Sequence, residues 1–214
     1  MLRRLTTVFG AFVVVFSFLT FSGVAAADSA VKTPAQLFYP QVNTVAGNPN
    51  GKITIVEFFD YNCGYCHEVP AILSKISRSN PDVRIVYRDL PVLGPQSTFA
   101  ARAAVAAGQQ GKYVALHNAI FNARGPLTDG YVMSIANSVG VDTSSLKTEL
   151  SDRAVSSQLR ANQADANMLG IDGVPVVVIG QTPAKGERSA NAYVYVAPTY
   201  GDIQGAINMI NRQG

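Results

Sequence analysis

Apolar residues run almost without interruption through Lys52–Phe59 (Lys-Ile-Thr-Ile-Val-Glu-Phe-Phe), and most of them are β-branched or aromatic. Such a run predicts a central strand buried on both faces. Asp60-Tyr61-Asn62 reads as the turn after it. A helix is expected from Cys63 to about Ser79, kinked at Pro70, because proline removes an internal donor and clashes with the preceding turn. Val83–Tyr87 predicts the next strand and completes a βαβ unit with a right-handed crossover.

From about residue 95 the pattern turns helical. Ala100–Ala107 is alanine-rich, and Lys112–Ala123, Asp129–Val139 and Ser144–Leu169 continue as helices, punctuated by Gly125-Pro126 and Gly140. Strands resume at Val174–Ile179. A polar, glycine-containing loop, Gln181–Asn191, leads to Tyr193–Val196, and these two runs predict an antiparallel hairpin. Pro198–Asn211 reads as a final helix. The order β-α-β, helical block, β-β-α describes an α/β fold with a helical insertion over about 95–170. Asp28–Asn50, with prolines at 34, 40 and 49, reads as a short lead-in whose residues 34–41 make a helical turn or two. There is no internal repeat and no coiled-coil heptad.

Composition narrows the class. A chain of 214 residues with 48% apolar and 14% charged residues is expected to fold as one globular domain. The net charge is +3, of which Arg3 and Arg4 supply two. No basic run remains after them, so no nucleic-acid partner is expected. Those arginines, the uncharged run Leu5–Val24 and Ala25-Ala26-Ala27 read as a cleavable signal peptide over residues 1–27. The competing reading is an uncleaved membrane anchor. Either one places the rest of the chain outside the cytoplasm, with the periplasm expected.

That location changes the meaning of the two cysteines, Cys63 and Cys66. A structural disulfide framework normally closes longer loops. A zinc site needs about four ligands, and with His67 and His117 as the remaining candidates and no second C-x-x-C, no metal is expected. The pair reads as redox-active, with an incidental local disulfide as the alternative. Cys63 falls at a strand-to-helix turn and Cys66 one helical turn later, so the sulfurs can face each other. Unpaired N–H groups and the positive end of a helix dipole favour a thiolate at Cys63. Cys63 is expected to be the exposed reactive sulfur and Cys66 the more buried, resolving one. Between them, Gly64 permits close approach of a substrate and Tyr65 can pack against it or donate a hydrogen bond. His67 reads as a partly exposed helix residue, the alternative being a role in tuning Cys63.

Glu57 interrupts the apolar strand, where an ionised carboxylate is costly unless paired. Two-residue alternation puts it on one face with Phe59, and Val56 and Phe58 on the other. One reading is a proton relay to Cys66; the other is a strand-end carboxylate with a salt-bridge partner. Val174-Pro175 opens the later strand. Proline is ordinary at a first strand position, whereas a cis bond there would leave the Val174 backbone free to pair with an extended substrate.

These residues carry a family likeness. Val56-Glu-Phe-Phe-Asp-Tyr-Asn-Cys-Gly-Tyr-Cys66 resembles the active-site segment of the DsbA-family periplasmic thiol:disulfide oxidoreductases. Asp89-Leu-Pro-Val-Leu-Gly94 and Gly170-Ile-Asp-Gly-Val-Pro-Val-Val-Val-Ile-Gly180 resemble its later blocks. The resemblance runs from about Gly51 to the C-terminus. It implies a thioredoxin-like domain over 51–214, a reactive Cys63, a resolving Cys66, a buried acid at Glu57 and a cis bond at Pro175. It also implies no cofactor beyond the redox-active Cys63–Cys66 disulfide. The implied partners are cysteine-containing unfolded or exported polypeptides and a membrane redox partner that recycles the cysteines. The dipeptide Gly64-Tyr65 is more like the family's disulfide isomerases, and Val174 before the proline more like its dedicated oxidase. Residues 28–50 are too short for the isomerases' dimerisation domain, so a monomer is expected, and the loop 181–191 is longer than usual. The functions weighed are therefore an oxidase for exported proteins, an isomerase or reductase kept reduced by a membrane partner, and a non-catalytic peptide-binding module.

Overall fold

A computed structural model describes residues 30–213; the leader read over residues 1–27 lies outside them. One mixed sheet holds the molecule together. Its strands are β1 (Val31–Pro34), β2 (Val45–Gly47), β3 (Ile53–Phe59), β4 (Val83–Asp89), β5 (Val176–Gln181) and β6 (Ser189–Val196), in the order β1-β6-β5-β3-β4-β2. β3 and β4 are parallel, and the other pairs are antiparallel. The helices are α1 (Val69–Ser79), α2 (Pro95–Gln109), α3 (Tyr113–Phe121), α4 (Asp129–Ser138), α5 (Thr143–Glu149), α6 (Arg153–Met168) and α7 (Tyr200–Gln213). The α/β fold with a helical insertion between its βαβ and ββα parts is the one expected from the sequence.

All seven residues of β3 are buried, as its unbroken apolar pattern requires. Alternation along it divides the core. Ile53, Ile55 and Phe59 face α1, the helical insertion and α7, whereas Val56 and Phe58 face Leu37, Phe38 and Ala166 of α6. The alanines of α2 are buried at positions 100, 101, 103, 104, 106 and 107, and their small side chains let neighbouring helices approach closely.

Several local expectations change. The lead-in 28–50 supplies both edges of the sheet: β1 pairs with β6, and β2 with β4. Edge strands this short bury little and leave almost no periodic signal. A 3-10 turn, Ala35–Phe38, links them to the core, within the range read as helical. The continuous helix from Cys63 is instead a 3-10 turn, Gly64–His67, followed by α1, with Pro70 in the first turn of α1 rather than at a kink. Proline is tolerated there because those N–H groups have no intrahelical partner anyway. Ser144–Leu169 divides into α5 and α6, and Asp142 caps α5 by accepting from the N–H groups of Ser144 and Ser145. β5 and β6 begin and end differently from the predicted hairpin, leaving only 182–188 as the loop. Polar Ser189–Asn191 is recruited into β6 by backbone pairing with β1, which no hydrophobic pattern announces.

Candidate active site

β3 ends at Phe59, and Asp60 organises the turn after it. Its Oδ1 accepts from the Asn62 N–H (2.8 Å), and its Oδ2 from those of Val92 (2.8 Å) and Leu93 (2.9 Å). Asn62 Nδ2 donates to Ser97 Oγ at 2.8 Å. The turn that delivers the cysteines is thereby tied to the segment after β4 and to the start of α2.

Cys63 keeps an extended backbone, and the Cys66 N–H donates to its carbonyl at 3.1 Å. The first N–H groups of such a turn have no partner inside it, so Cys63 stands at its positive end. Both cysteines are free thiols, and Cys66 is fully buried. Cys63 is only 7% exposed, less than the open thiol expected from sequence. The cover is the loop before β5: the Val174–Pro175 bond is cis, and the Cys63 thiol donates to the Val174 carbonyl at 3.5 Å. Gly64 and Tyr65 form the exposed lip, with Tyr65 at 75% exposure. Leu169, Ile171, Val174, Val176, Val194 and Val196 line a shallow apolar hollow beside the same loop. His67 does not turn toward Cys63. Its Nδ1 donates to the Phe121 carbonyl at 3.1 Å, fastening the turn to the end of α3.

Glu57 lies in the middle of β3, flanked by β4 and β5, so it is no strand-end carboxylate. It is completely buried, and neither carboxyl oxygen has a hydrogen-bond partner. Among the described residues the one salt bridge is Arg88–Asp165 (3.6 Å), which excludes the salt-bridged alternative for Glu57. Burial pushes its pKa up to about 8, with the nearby charge of Asp89 adding to the shift. Burial also pushes the Cys66 thiol up, reinforced by its hydrogen bond with Cys63 and by the charge of Glu57.

Sequence reasoning missed the polar cluster around this acid. Asp89 ends β4 on the Glu57 face, fully buried, and Tyr113 Oη donates to its Oδ2 at 2.7 Å. Burial raises its pKa to about 7, against the lowering effect of that hydrogen bond. His117 is also buried. It meets Tyr61 Oη through Nδ1 at 3.2 Å, its ring packs 4.1 Å from that of Tyr87, and burial pushes its pKa down to about 3, so it is neutral. Extending the predicted strand Val83–Tyr87 by two residues would have put Asp89 in the same alternating row as Tyr87. For His117 and Tyr113, no local signal distinguishes them from other helix residues. Among the described residues, no group of three or more His, Cys, Asp or Glu side chains is placed to hold a metal ion, and no helix is long and apolar enough to cross a membrane.

Known proteins are similar to this chain in sequence and fold. The family described as DSBA-like thioredoxin domain matches residues 54–195. A solved thioredoxin-like oxidoreductase from Silicibacter pomeroyi DSS-3 is 36% identical, with a TM-score of 0.71 over 84% of this chain and 97% of that one. A periplasmic thioredoxin-like protein from Salmonella enterica serovar Typhimurium is 26% identical, with a TM-score of 0.67 over 82% and 93% of the two chains. The Na(+)/H(+) antiporter NhaA 1 of Salinispora arenicola is 25% identical over 142 residues, 65% of this chain and 22% of that protein. This chain therefore spans less than a quarter of that relative's length. The family match takes in β3, the cysteine pair, the whole helical insertion and the β5–β6 hairpin; with the identity across nearly all of one solved structure, it means that this chain belongs to the DSBA-like thioredoxin domain family.

Proposed function

We propose that this protein is a thiol:disulfide oxidoreductase of the cell envelope, which forms disulfides in exported polypeptides by exchange through Cys63 and Cys66. The observation that carries the reading is the position of the Cys63 sulfur: at the start of a helical turn, against the Val174 carbonyl, with Cys66 sealed behind it.

The oxidised enzyme holds a Cys63–Cys66 disulfide. A substrate thiolate attacks Cys63 Sγ, forming a mixed disulfide, and Cys66 leaves as a thiolate. Burial makes that buried anion costly, so it takes a proton, and Glu57 in its protonated form is the donor. A second substrate thiolate then attacks the substrate sulfur of the mixed disulfide. The substrate leaves with a new disulfide, and Cys63 departs as a thiolate, helped by the free N–H groups at the start of its turn. The two electrons taken from the substrate now sit on the enzyme's dithiol, and a membrane redox partner removes them. Gly64 lies on the exposed lip in open space, where a Cβ would meet nothing within 4 Å, and adds no side chain between substrate and the turn. Tyr65 and Val174 border the substrate, with Pro175 holding the Val174 backbone beside Cys63.

Export by cleavage after residue 27 and a periplasmic location belong to the same reading. So do action as a monomer, the role of 51–214 as the catalytic domain, and the absence of any cofactor besides the cysteine pair. An isomerase or reductase is the second reading, favoured by the resemblance of Gly64-Tyr65. Refolding a reduced substrate and a scrambled one side by side with the purified protein separates them. Activity on the reduced substrate alone supports the oxidase. Activity on the scrambled one makes the protein an isomerase. No activity on either, with both cysteines intact, leaves only the peptide-binding module.

A further inference from the structure

Glu57 is not the only acid in the core. β3 and β4 run parallel with Glu57 opposite Tyr87 and Phe59 opposite Asp89, so the two carboxyl-bearing residues are diagonal neighbours on one sheet face. Strand spacing and the rise of two residues put their backbones roughly 8 Å apart, and both side chains reach into the layer that contains Cys66.

What surrounds them is neutral or acidic. From β3 and the turn after it come Glu57, Tyr61 and Asp60, whose charge is felt at Asp89. β4 itself contributes Tyr87, and α3 contributes Tyr113 and His117. α6 sends Asn162, whose side chain donates to the Asp89 carbonyl at 2.9 Å. The cations of β4, Arg84 and Arg88, alternate onto the opposite face, where they bind the Phe38, Gln36 and Leu37 carbonyls. Two buried carboxylates without a cation cannot both ionise cheaply.

A purely structural Asp89 would fasten Tyr113 and have both oxygens satisfied, as buried polar atoms generally do. Here Tyr113 donates to Oδ2 and Tyr61 also bonds to the Asp89 carboxyl, yet Oδ1 is left without a partner of its own, and neither oxygen of Glu57 has one. Three unpartnered oxygens on two neighbouring acids leave each proton held by burial and by the other acid's charge rather than by a fixed hydrogen bond.

We propose that Asp89 is a positioning residue of the exchange reaction, forming with Glu57 a single proton-holding pair whose second charge decides how readily Glu57 gives a proton to Cys66 or takes one back. This rests on the reading of the protein as a thiol:disulfide oxidoreductase. When the enzyme disulfide opens, the S–S bond breaks, Cys66 leaves as a thiolate, and the carboxylic acid of Glu57 protonates it and becomes a carboxylate. When Cys66 re-attacks a mixed disulfide at Cys63, its proton returns to Glu57 as the Cys63–Cys66 bond forms and the substrate thiolate departs. A charge on Asp89 holds the proton on Glu57 more tightly, consistent with the direction in which Asp89 moves it. Tyr113 of α3, by binding Asp89, makes the helical insertion part of this control.

The test uses the full reduced protein with Asp89→Asn, which keeps an acceptor for Tyr113. Carboxyl-carbon NMR titration of Glu57 is followed beside the pH profile of exchange with a disulfide peptide. Removing the neighbouring charge moves the Glu57 titration to lower pH, and the corresponding limb of the rate profile moves with it. A Glu57 titration that stays where it was, with an unshifted profile, overturns the proposal and leaves Asp89 structural. In the unmutated protein the two acids titrate as a coupled pair, so each carboxyl curve is broader than a single-site curve; this second measurement decides the matter if Asp89→Asn fails to fold, and two independent single-site curves there overturn the pairing. If Glu57→Gln leaves exchange unchanged, it is the proton-relay reading of Glu57 that fails. The titrations still report whether the two acids are coupled.

Discussion

The thiol of Cys63 donates to the carbonyl oxygen of Val174 at 3.5 Å, across 111 positions of sequence. The reactive turn belongs to the βαβ half and the Val174–Pro175 loop to the ββα half, so closing the sheet is what creates the site. In the proposed reaction the Val174 backbone therefore borders the sulfur that substrate must reach.

Exchange depends on both sulfurs in different ways. Cys63→Ser is expected to abolish it, because no sulfur remains within reach of substrate. Cys66→Ala is expected to accumulate mixed disulfides between Cys63 and substrate, visible by non-reducing electrophoresis and mass spectrometry. Clean turnover by that variant would refute the resolving role of Cys66.

Glu57 ties activity to stability. The folded-state pKa lies at about 8 against an ordinary 4.5, so the folded protein holds a proton that the unfolded chain releases in between. The stabilisation is therefore complete below about 4.5 and is lost as pH rises toward about 8. Glu57→Gln should flatten that fall in thermal unfolding measured from acid to mildly alkaline pH, by an amount on the order of a few kcal/mol across the window. The same variant should slow exchange by about 10²-fold. An unchanged rate would remove Glu57 from the mechanism, whatever the stability curve does.

Arg88 tests the opposite face. Its guanidinium donates to Asn162 Oδ1 (3.0 Å) and to the carbonyls of Gln36 (3.1 Å) and Leu37 (2.8 Å), and it pairs with Asp165. Arg88→Ala takes the cation away from buried Asp165, which keeps only the Gln36 amide (3.0 Å), and takes the guanidinium donor from the Leu37 carbonyl, at a cost of roughly 3–5 kcal/mol in chemical denaturation. Exchange per folded molecule should be nearly unchanged, because the sheet separates Arg88 from the cysteines. A selective loss of rate with stability intact would contradict this division of the core.

Two glycines should respond oppositely to alanine. At Gly64 a Cβ meets nothing within 4 Å, so stability should change by less than about 1 kcal/mol. The effect belongs in KM for a protein substrate. At Gly180 a Cβ would stand 2.6 Å from the Asn191 backbone carbonyl and 3.3 Å from Phe38, where β5 passes β6. Gly180→Ala should cost roughly 1–3 kcal/mol or more. Equal melting temperatures for the two variants would count against this packing.

Much of the frame is readable locally, because hydrophobic period reports burial one element at a time. The unbroken apolar run of β3, the alanine-rich α2 and the Cys63/Cys66 spacing each state their place in the fold without reference to distant residues. Glu57 stands out for the same reason, as one acid in a row of apolar side chains.

Edge pairing and convergence of distant groups are non-local, and there the order of residues is mute. Val31–Pro34 and Val45–Gly47 become strands only because β6 and β4 offer unpaired backbone edges, and short edge strands carry little burial pattern. That Val174 meets Cys63 is set by the antiparallel register of β5 on β3. That Asp89, Tyr113 and His117 gather around Glu57 is set by where α3 lies against the sheet. Residue order was enough to name the groups capable of chemistry and most of the strands and helices that hold them. Which of those groups lie together or share a hydrogen bond emerged only from the packed fold, since such contacts depend on distances between elements that no local pattern encodes.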